Sequence, residues 1–136
     1  MWKAAVLLAV SGVLSSPALA SDATVKARLL RGVAQIRGTH DMKRLDRKLV
    51  RTIATLRRDP GSTPAGRRGR TLAIEGFTWT LKGVKARRAF IENDSGNIEA
   101  AMRDAIAADR GFRKGAKLLR QAGRAFGLRI GKIRGF

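Results

Sequence analysis

Cysteine is absent from the sequence, and histidine occurs once, as His40. Without cysteine the chain can form no disulfide bond, and it offers neither thiolate ligands for zinc nor a thiol nucleophile. One histidine cannot build a multi-histidine metal site. These absences argue against the common metal and cofactor sites, and we expect the protein to need no metal and no cofactor.

Acidic residues are also scarce. The chain has 10 Asp and Glu residues against 29 Lys and Arg residues, which gives a formal net charge of +19. The balance varies along the chain, because residues 93–109 hold four acids and one base whereas residues 110–136 hold nine bases and no acid. A net charge this far from zero attracts polyanions over long range.

The sequence lacks the motifs of several common enzyme classes. It has no tyrosine, no Gly-x-Ser-x-Gly nucleophile elbow and no Gly-x-x-x-x-Gly-Lys phosphate loop. His40 and Asp41 are adjacent in the sequence, which does not favour the arrangement of a catalytic base with the group that orients it. We therefore predict that the protein is not an enzyme and has no catalytic residues.

The N-terminus has the pattern of an export signal. Lys3 gives a positive start, residues 4–14 are mainly apolar, and Pro17 precedes an Ala-Leu-Ala sequence that ends at Ala20. This pattern predicts a signal peptide over residues 1–20 and an exported protein. The apolar run is shorter than the roughly 20 residues that span a bilayer. An uncleaved anchor or a buried helix is the alternative interpretation.

Two helices are predicted in the first part of the mature chain. In residues 24–37, one face collects the apolar side chains of Val25, Leu29, Val33 and Ile36. A second helix, for which Thr39 is a suitable N-cap, shows a cleaner apolar stripe of Met42, Leu45, Leu49, Ile53 and Leu56. Asp59-Pro60 ends it, because the residue before proline disfavours the helical conformation. Residues 60–70, with two prolines and three glycines, are then predicted to be an exposed loop.

Residues 71–91 fit a helix better than a strand. Phe77 to Leu81 are rich in strand-forming residues, so a β-hairpin is the competing interpretation. Helical spacing, however, gives two apolar stripes, which is typical of a helix in the middle of a bundle. We expect Gly76 and Gly83 to let a neighbouring helix approach closely, and Glu75 to pair with an arginine at the edge of the core.

Residues 97–127 are predicted to form a strongly cationic amphipathic helix. At about 100° per residue, one side carries the small and apolar residues Ile98, Ala101, Ala105, Ala108, Phe112, Ala116, Leu119, Gly123 and Phe126. Gly111 could kink this helix or begin a new one, and the glycine spacing suggests close helix packing. Beyond Gly127 the periodicity fails, which predicts an irregular, basic and apolar tail over residues 128–136.

The predicted fold is all-α. We expect a bundle of four to five helices after a cleaved signal peptide, with one domain over residues 21–127.

The predicted function is the binding of an anionic partner by a small protein that is secreted or bound to the cell envelope. Envelope polymers, lipid headgroups and acidic proteins fit the charge, whereas nucleic acid would bind only non-specifically. The candidate binding residues are Arg110, Arg113, Lys114, Lys117, Arg120, Arg124, Arg129, Lys132 and Arg134. The alternative is a membrane-active protein that acts, as antimicrobial helices do, through an amphipathic segment at residues 110–136.

Overall fold

The computed structural model describes residues 17–133, and four α-helices make up most of that range. The helices are α1 Pro17–Gly38, α2 Met42–Arg58, α3 Pro64–Ile91 and α4 Ile98–Ala125. Residues 17–133 contain no β-strand. The predicted all-α bundle is therefore confirmed, and residues 71–91 form a helix rather than a hairpin.

The predicted signal peptide lies mostly outside the described range. Its residues 1–16 are not among the described residues, and its last four residues, 17–20, form the first turn of α1. This helix therefore starts earlier than the one predicted from Thr24. Among the helices of residues 17–133, none is both long and apolar enough to cross a membrane.

Polar side chains fix the start of three helices. Asp41, Thr63 and Asn97 each accept a hydrogen bond from the backbone amide three residues later, at 3.1, 3.0 and 3.1 Å. The prediction that Thr39 caps α2 is wrong, because Asp41 takes that position. Thr39 is buried instead, and its hydroxyl accepts a hydrogen bond from Lys48 Nζ at 3.0 Å.

The predicted exposed loop over residues 60–70 is wrong beyond Thr63. α3 begins at Pro64. Proline suits the first turn of a helix because the backbone amides of that turn have no acceptor within the helix, so the missing N–H of proline costs no hydrogen bond. Asp22 on α1 accepts hydrogen bonds from the Ser62 amide, at 2.8 Å, and from the Thr63 hydroxyl. The start of α3 is thereby attached to α1, and what the sequence presents as a flexible connector is a helical turn.

The four helices share one apolar core. The predicted stripes of the first two helices are confirmed, since Val25, Leu29, Leu45 and Leu49 are completely buried. α3 and α4 add Phe77, Val84, Phe112 and Leu119, and the segment after α4 adds Ile130 and Ile133. Burial of these side chains supplies the main stabilising term, at about 25 cal/mol for each Å² of apolar surface removed from water.

α3 and α4 pack against each other through a glycine seam, which consists of Gly76 and Gly83 on α3 and Gly111 and Gly115 on α4. A Cβ atom added to Gly111 would lie 2.6 Å from the Gly83 Cα, and one added to Gly115 would lie 2.8 Å from the Gly76 carbonyl oxygen. The two backbones are therefore in direct contact, which confirms the predicted role of these glycines. Gly111 does not start a new helix, since α4 continues through it.

The chain reverses direction at the end of α4. Gly127 adopts a positive φ of 70°, a conformation that glycine reaches without steric cost. The Leu128 amide donates to the Gly123 carbonyl at 2.8 Å and the Gly127 amide donates to the Arg124 carbonyl at 2.9 Å, which is the hydrogen-bond pattern of a Schellman motif. Residues 128–133 are irregular, as predicted, but they pack back onto the bundle through Ile130 and Ile133.

Candidate anion-binding surface

The cationic residues selected from the sequence lie mainly on α4. Six of the nine belong to this helix, and Arg129 and Lys132 are exposed in the segment that follows it. Arg134 lies outside the described residues. On α4 all six are exposed except Arg120, which is half-buried. Helical geometry places these six within a sector of about 120°, so α4 has one strongly basic side.

The outermost part of this side is the basic face, which we define as Arg110, Arg113, Lys114, Lys117 and Arg124. A shallow depression of about 630 Å³ runs along it, and its lining also includes Ile106 and Leu118. Arg113 is 3.0 Å from Asp109, but both side chains are well exposed. Such an exposed pair contributes at most about 1 kcal/mol, so an anionic ligand can displace it at little cost.

Trp79 extends the basic face onto α3. The Lys114 Nζ lies 4.0 Å from the centroid of the Trp79 ring, and the Lys82 Nζ lies 4.5 Å from it. Both ammonium groups are within the range of cation–π attraction. The indole ring thus contacts one ammonium group from α3 and one from α4.

Four of the ten acidic residues make contacts that stabilise the fold. Asp22 and Asp41 accept hydrogen bonds at helix starts, and Asp46 and Asp59 join helices through Arg88, at 3.0 Å, and Arg28, at 3.5 Å. Glu75 does not form the ion pair that we expected with another described residue, and it is exposed on α3. Four acids thus stabilise the fold at sites away from the basic face, and the acids of α4 itself all lie at or before Asp109.

A groove of about 490 Å³ lies on the other flank of α4. Its floor is apolar and includes Ala108, Phe112 and Ala116 of α4 together with Ile133 of the tail. Its rim is charged and consists of Arg87, Asp109, Arg113, Arg120 and Lys132. Three separate parts of the chain thus meet at a site where apolar surface and positive charge are adjacent.

The N-terminal half of α4 is more exposed than predicted. Ile98, assigned to the buried stripe, is 75% exposed, because the neighbouring helices bury that stripe only from Ala108 onwards. Met102 and Ile106 are each 59% exposed. Phe90 and Ile91, at the end of α3, are also exposed apolar residues.

Sequence reasoning missed four residues of this surface: Trp79, Lys82, Arg87 and Ile133. The spacing of Trp79 and Lys82 on one helix could have indicated their contact. The contact with Lys114 depends on how α3 and α4 pack. Ile133 follows the last helix without any periodic pattern, so its place in the groove required the tertiary structure.

Within residues 17–133 no group of three or more His, Cys, Asp or Glu side chains could hold a metal ion. The chain matches no protein-family model, no curated protein and no solved structure.

Proposed function

We propose that this protein binds an anionic partner through the basic face of α4 and that it acts outside the cytoplasm, in the cell envelope or as a secreted protein. The observation that carries the proposal is the separation of charge. Four of the ten acids are taken up by helix starts and interhelical pairs, and Asp109 is the one acid that lines the depression along the basic face. The proposal assigns no catalytic activity to the protein.

An anionic polymer suits this surface best. Exposed lysine and arginine side chains along a rigid helix present a row of charges, and binding of a polyanion there is favoured by the release of its counterions. Nucleic acid would bind by the same mechanism without sequence preference. An acidic protein surface is a further partner that the charge would accept.

A charge-matched pair of triple variants tests the proposal. One replaces Arg110, Lys114 and Lys117 with Gln, and the control replaces Arg44, Arg47 and Arg51, which are exposed on α2, in the same way. Binding to dextran sulfate is measured at several salt concentrations. The α4 variant should lower the slope of log K against log salt by about 2 to 3, and the α2 variant by less than about 1. Equal effects would show that net charge alone attracts the polymer.

The burial of the apolar side of α4 argues against the membrane-active alternative. Leu119 is completely buried and Phe112 is 9% exposed, so both belong to the core. That side could enter lipid only if the bundle opened. Leakage of anionic vesicles caused by the folded protein would favour the alternative, whereas binding without leakage would support the proposal.

The proposal that the protein is exported is based on the N-terminal pattern of a positive charge, an apolar run and small residues. Cleavage after Ala20 would leave Ser21 as the first residue, in the first turns of α1. Intact mass measurement of the protein recovered from an envelope or secreted fraction tests this, and a full-length mass there would contradict it.

A further inference from the structure

The groove differs from the basic face in one respect that matters for its ligand. A polymer held by exposed charges makes no use of apolar surface, yet Ala105, Ala116 and Ile133 line the groove together with its cations. Apolar surface stabilises a ligand only if the ligand carries hydrocarbon to cover it. The groove therefore fits a molecule with both an anionic group and an alkyl chain.

We propose that the groove binds a single-chain anionic amphiphile, with its phosphate or carboxylate at Arg120 and Lys132 and its chain over Ala105 and Ile133. This inference deepens the proposed function and rests on it, since the same helix supplies most of the site. The volume of about 490 Å³ lies within the roughly 300–1,000 Å³ that is usual for small-molecule sites.

The charges of the rim favour an anion there. Asp109 is the one acidic residue of the lining, and it is already paired with Arg113 at 3.0 Å. Arg87, Arg120 and Lys132 form no ion pair with another residue of the described range 17–133. Their charge is therefore available to a ligand.

The positions of these cations are also fixed in part. Arg87 and Arg120 are half-buried, so water screens them less than it screens the basic face. The Arg87 guanidinium carbon lies 5.5 Å from the Phe90 ring centroid. Arg37 Nη2 donates a hydrogen bond to the Lys132 carbonyl at 3.4 Å, which ties the tail to α1. Both walls of the groove are thus attached to helices.

The first experiment measures binding of octyl phosphate to the protein by calorimetry. Inorganic phosphate, which has the anionic group without the chain, and octanol, which has the chain without the anionic group, are the controls. Octyl phosphate should bind with one-to-one stoichiometry and at least about tenfold more tightly than either control. Each methylene removed from the chain should weaken binding by about fourfold. Equal affinity for inorganic phosphate, or binding of many molecules per protein, would overturn the inference.

Two variants locate the site. Arg120→Gln removes a rim cation, and Ala105→Glu places a carboxylate at a half-buried position of the lining while keeping a good helix former. Each should weaken octyl phosphate binding by about tenfold or more. Arg124→Gln, an exposed cation of α4 outside the groove, is the control and should change it by less than about twofold. Circular dichroism checks that all three variants fold.

The outcomes separate this inference from the proposed function. Octyl phosphate binding that is lost in the groove variants, while dextran sulfate binding is kept, supports a separate amphiphile site. Equal losses in the Arg124→Gln control would overturn it. Dextran sulfate binding with no octyl phosphate binding, or binding only to anionic vesicles and not to the monomeric amphiphile, would overturn the groove site and leave the polymer-binding proposal intact.

Discussion

The inward face of α2 packs through large side chains, whereas the glycine seam between α3 and α4 packs backbone against backbone. α2 fills its contact with Leu45, Leu49 and Leu56, each of them completely buried. At the seam, Gly83 and Gly111 bring two backbones together, and almost no side chain lies between them. A helix with weak apolar periodicity, such as α3, can therefore be central to a bundle when small residues let it approach its neighbour.

The largest effect is expected where α2 loses volume. Leu49→Ala should lower the free energy of unfolding by about 3 kcal/mol, because it removes buried methyl groups and leaves a cavity. Urea unfolding monitored by circular dichroism measures the change. Val50→Ala, at an adjacent position that is 48% exposed, is the control and should cost less than about 0.5 kcal/mol. Similar costs for both variants would mean that α2 does not pack as described.

The glycine seam, in contrast, should be destabilised by a gain of side-chain volume. Gly111→Ala should lower the free energy of unfolding by about 2 kcal/mol, since the new methyl group would meet the Gly83 backbone, which cannot rotate away as a side chain can. Alanine is otherwise the better helix former by about 1 kcal/mol.

Gly38→Ala is the control for the seam, because no atom lies within 4 Å of the added Cβ. This variant should be neutral or slightly stabilising, by up to about 1 kcal/mol. A stabilising effect of Gly111→Ala as well would show that α3 and α4 are not in backbone contact.

The start of α3 is held by a third kind of contact, in which the Asp22 carboxylate of α1 accepts hydrogen bonds from Ser62 and Thr63. The Ser62 amide, and then the Thr63 hydroxyl, donate hydrogen bonds that hold the pKa of Asp22 below its ordinary value of 3.8. Since the pKa is lower in the folded protein, the stability from this charge is complete above pH 3.8 and is lost as the pH falls through the folded-state pKa.

Asp22→Asn tests this contact through the pH dependence of the melting temperature. The variant should melt at a lower temperature than the unaltered protein near neutral pH, and the two curves should converge as the pH falls below 3.8. Glu75→Gln, which alters an exposed acid of α3, should leave the melting temperature nearly unchanged. A difference for Asp22→Asn that stays constant at acidic pH would assign the effect to lost packing rather than lost charge.

The parts of the fold that follow from local patterns were predictable. The stripe of α2 repeats at helical spacing, so its buried face could be listed from the sequence, and the same spacing gathered the cations of α4 on one side. Residues 64–70 were not predictable in this way. Their glycines and proline are typical of a loop, and only the contacts with Asp22 and Phe126 explain why Gly66 and Gly69 are buried in a helix.

The lining of the groove could be predicted only in part from local sequence patterns. Phe112 and Arg120 belong to one helix and could be placed relative to each other from their spacing. Arg87 reaches the site only because the seam fixes how α3 lies on α4. Ile133 reaches it because the chain turns back after Gly127, and no periodicity in the tail indicates that turn.

That turn has a consequence for how the molecule could change over evolution. Gly127 has open space around the position of a side chain, and only its left-handed backbone geometry demands glycine. A β-branched residue there would disfavour the turn, and with it the packing of Ile130 and Ile133 onto the bundle. One codon thus affects both the lining of the groove and part of the core, so that a change of ligand at this end of the molecule would be coupled to a change of stability.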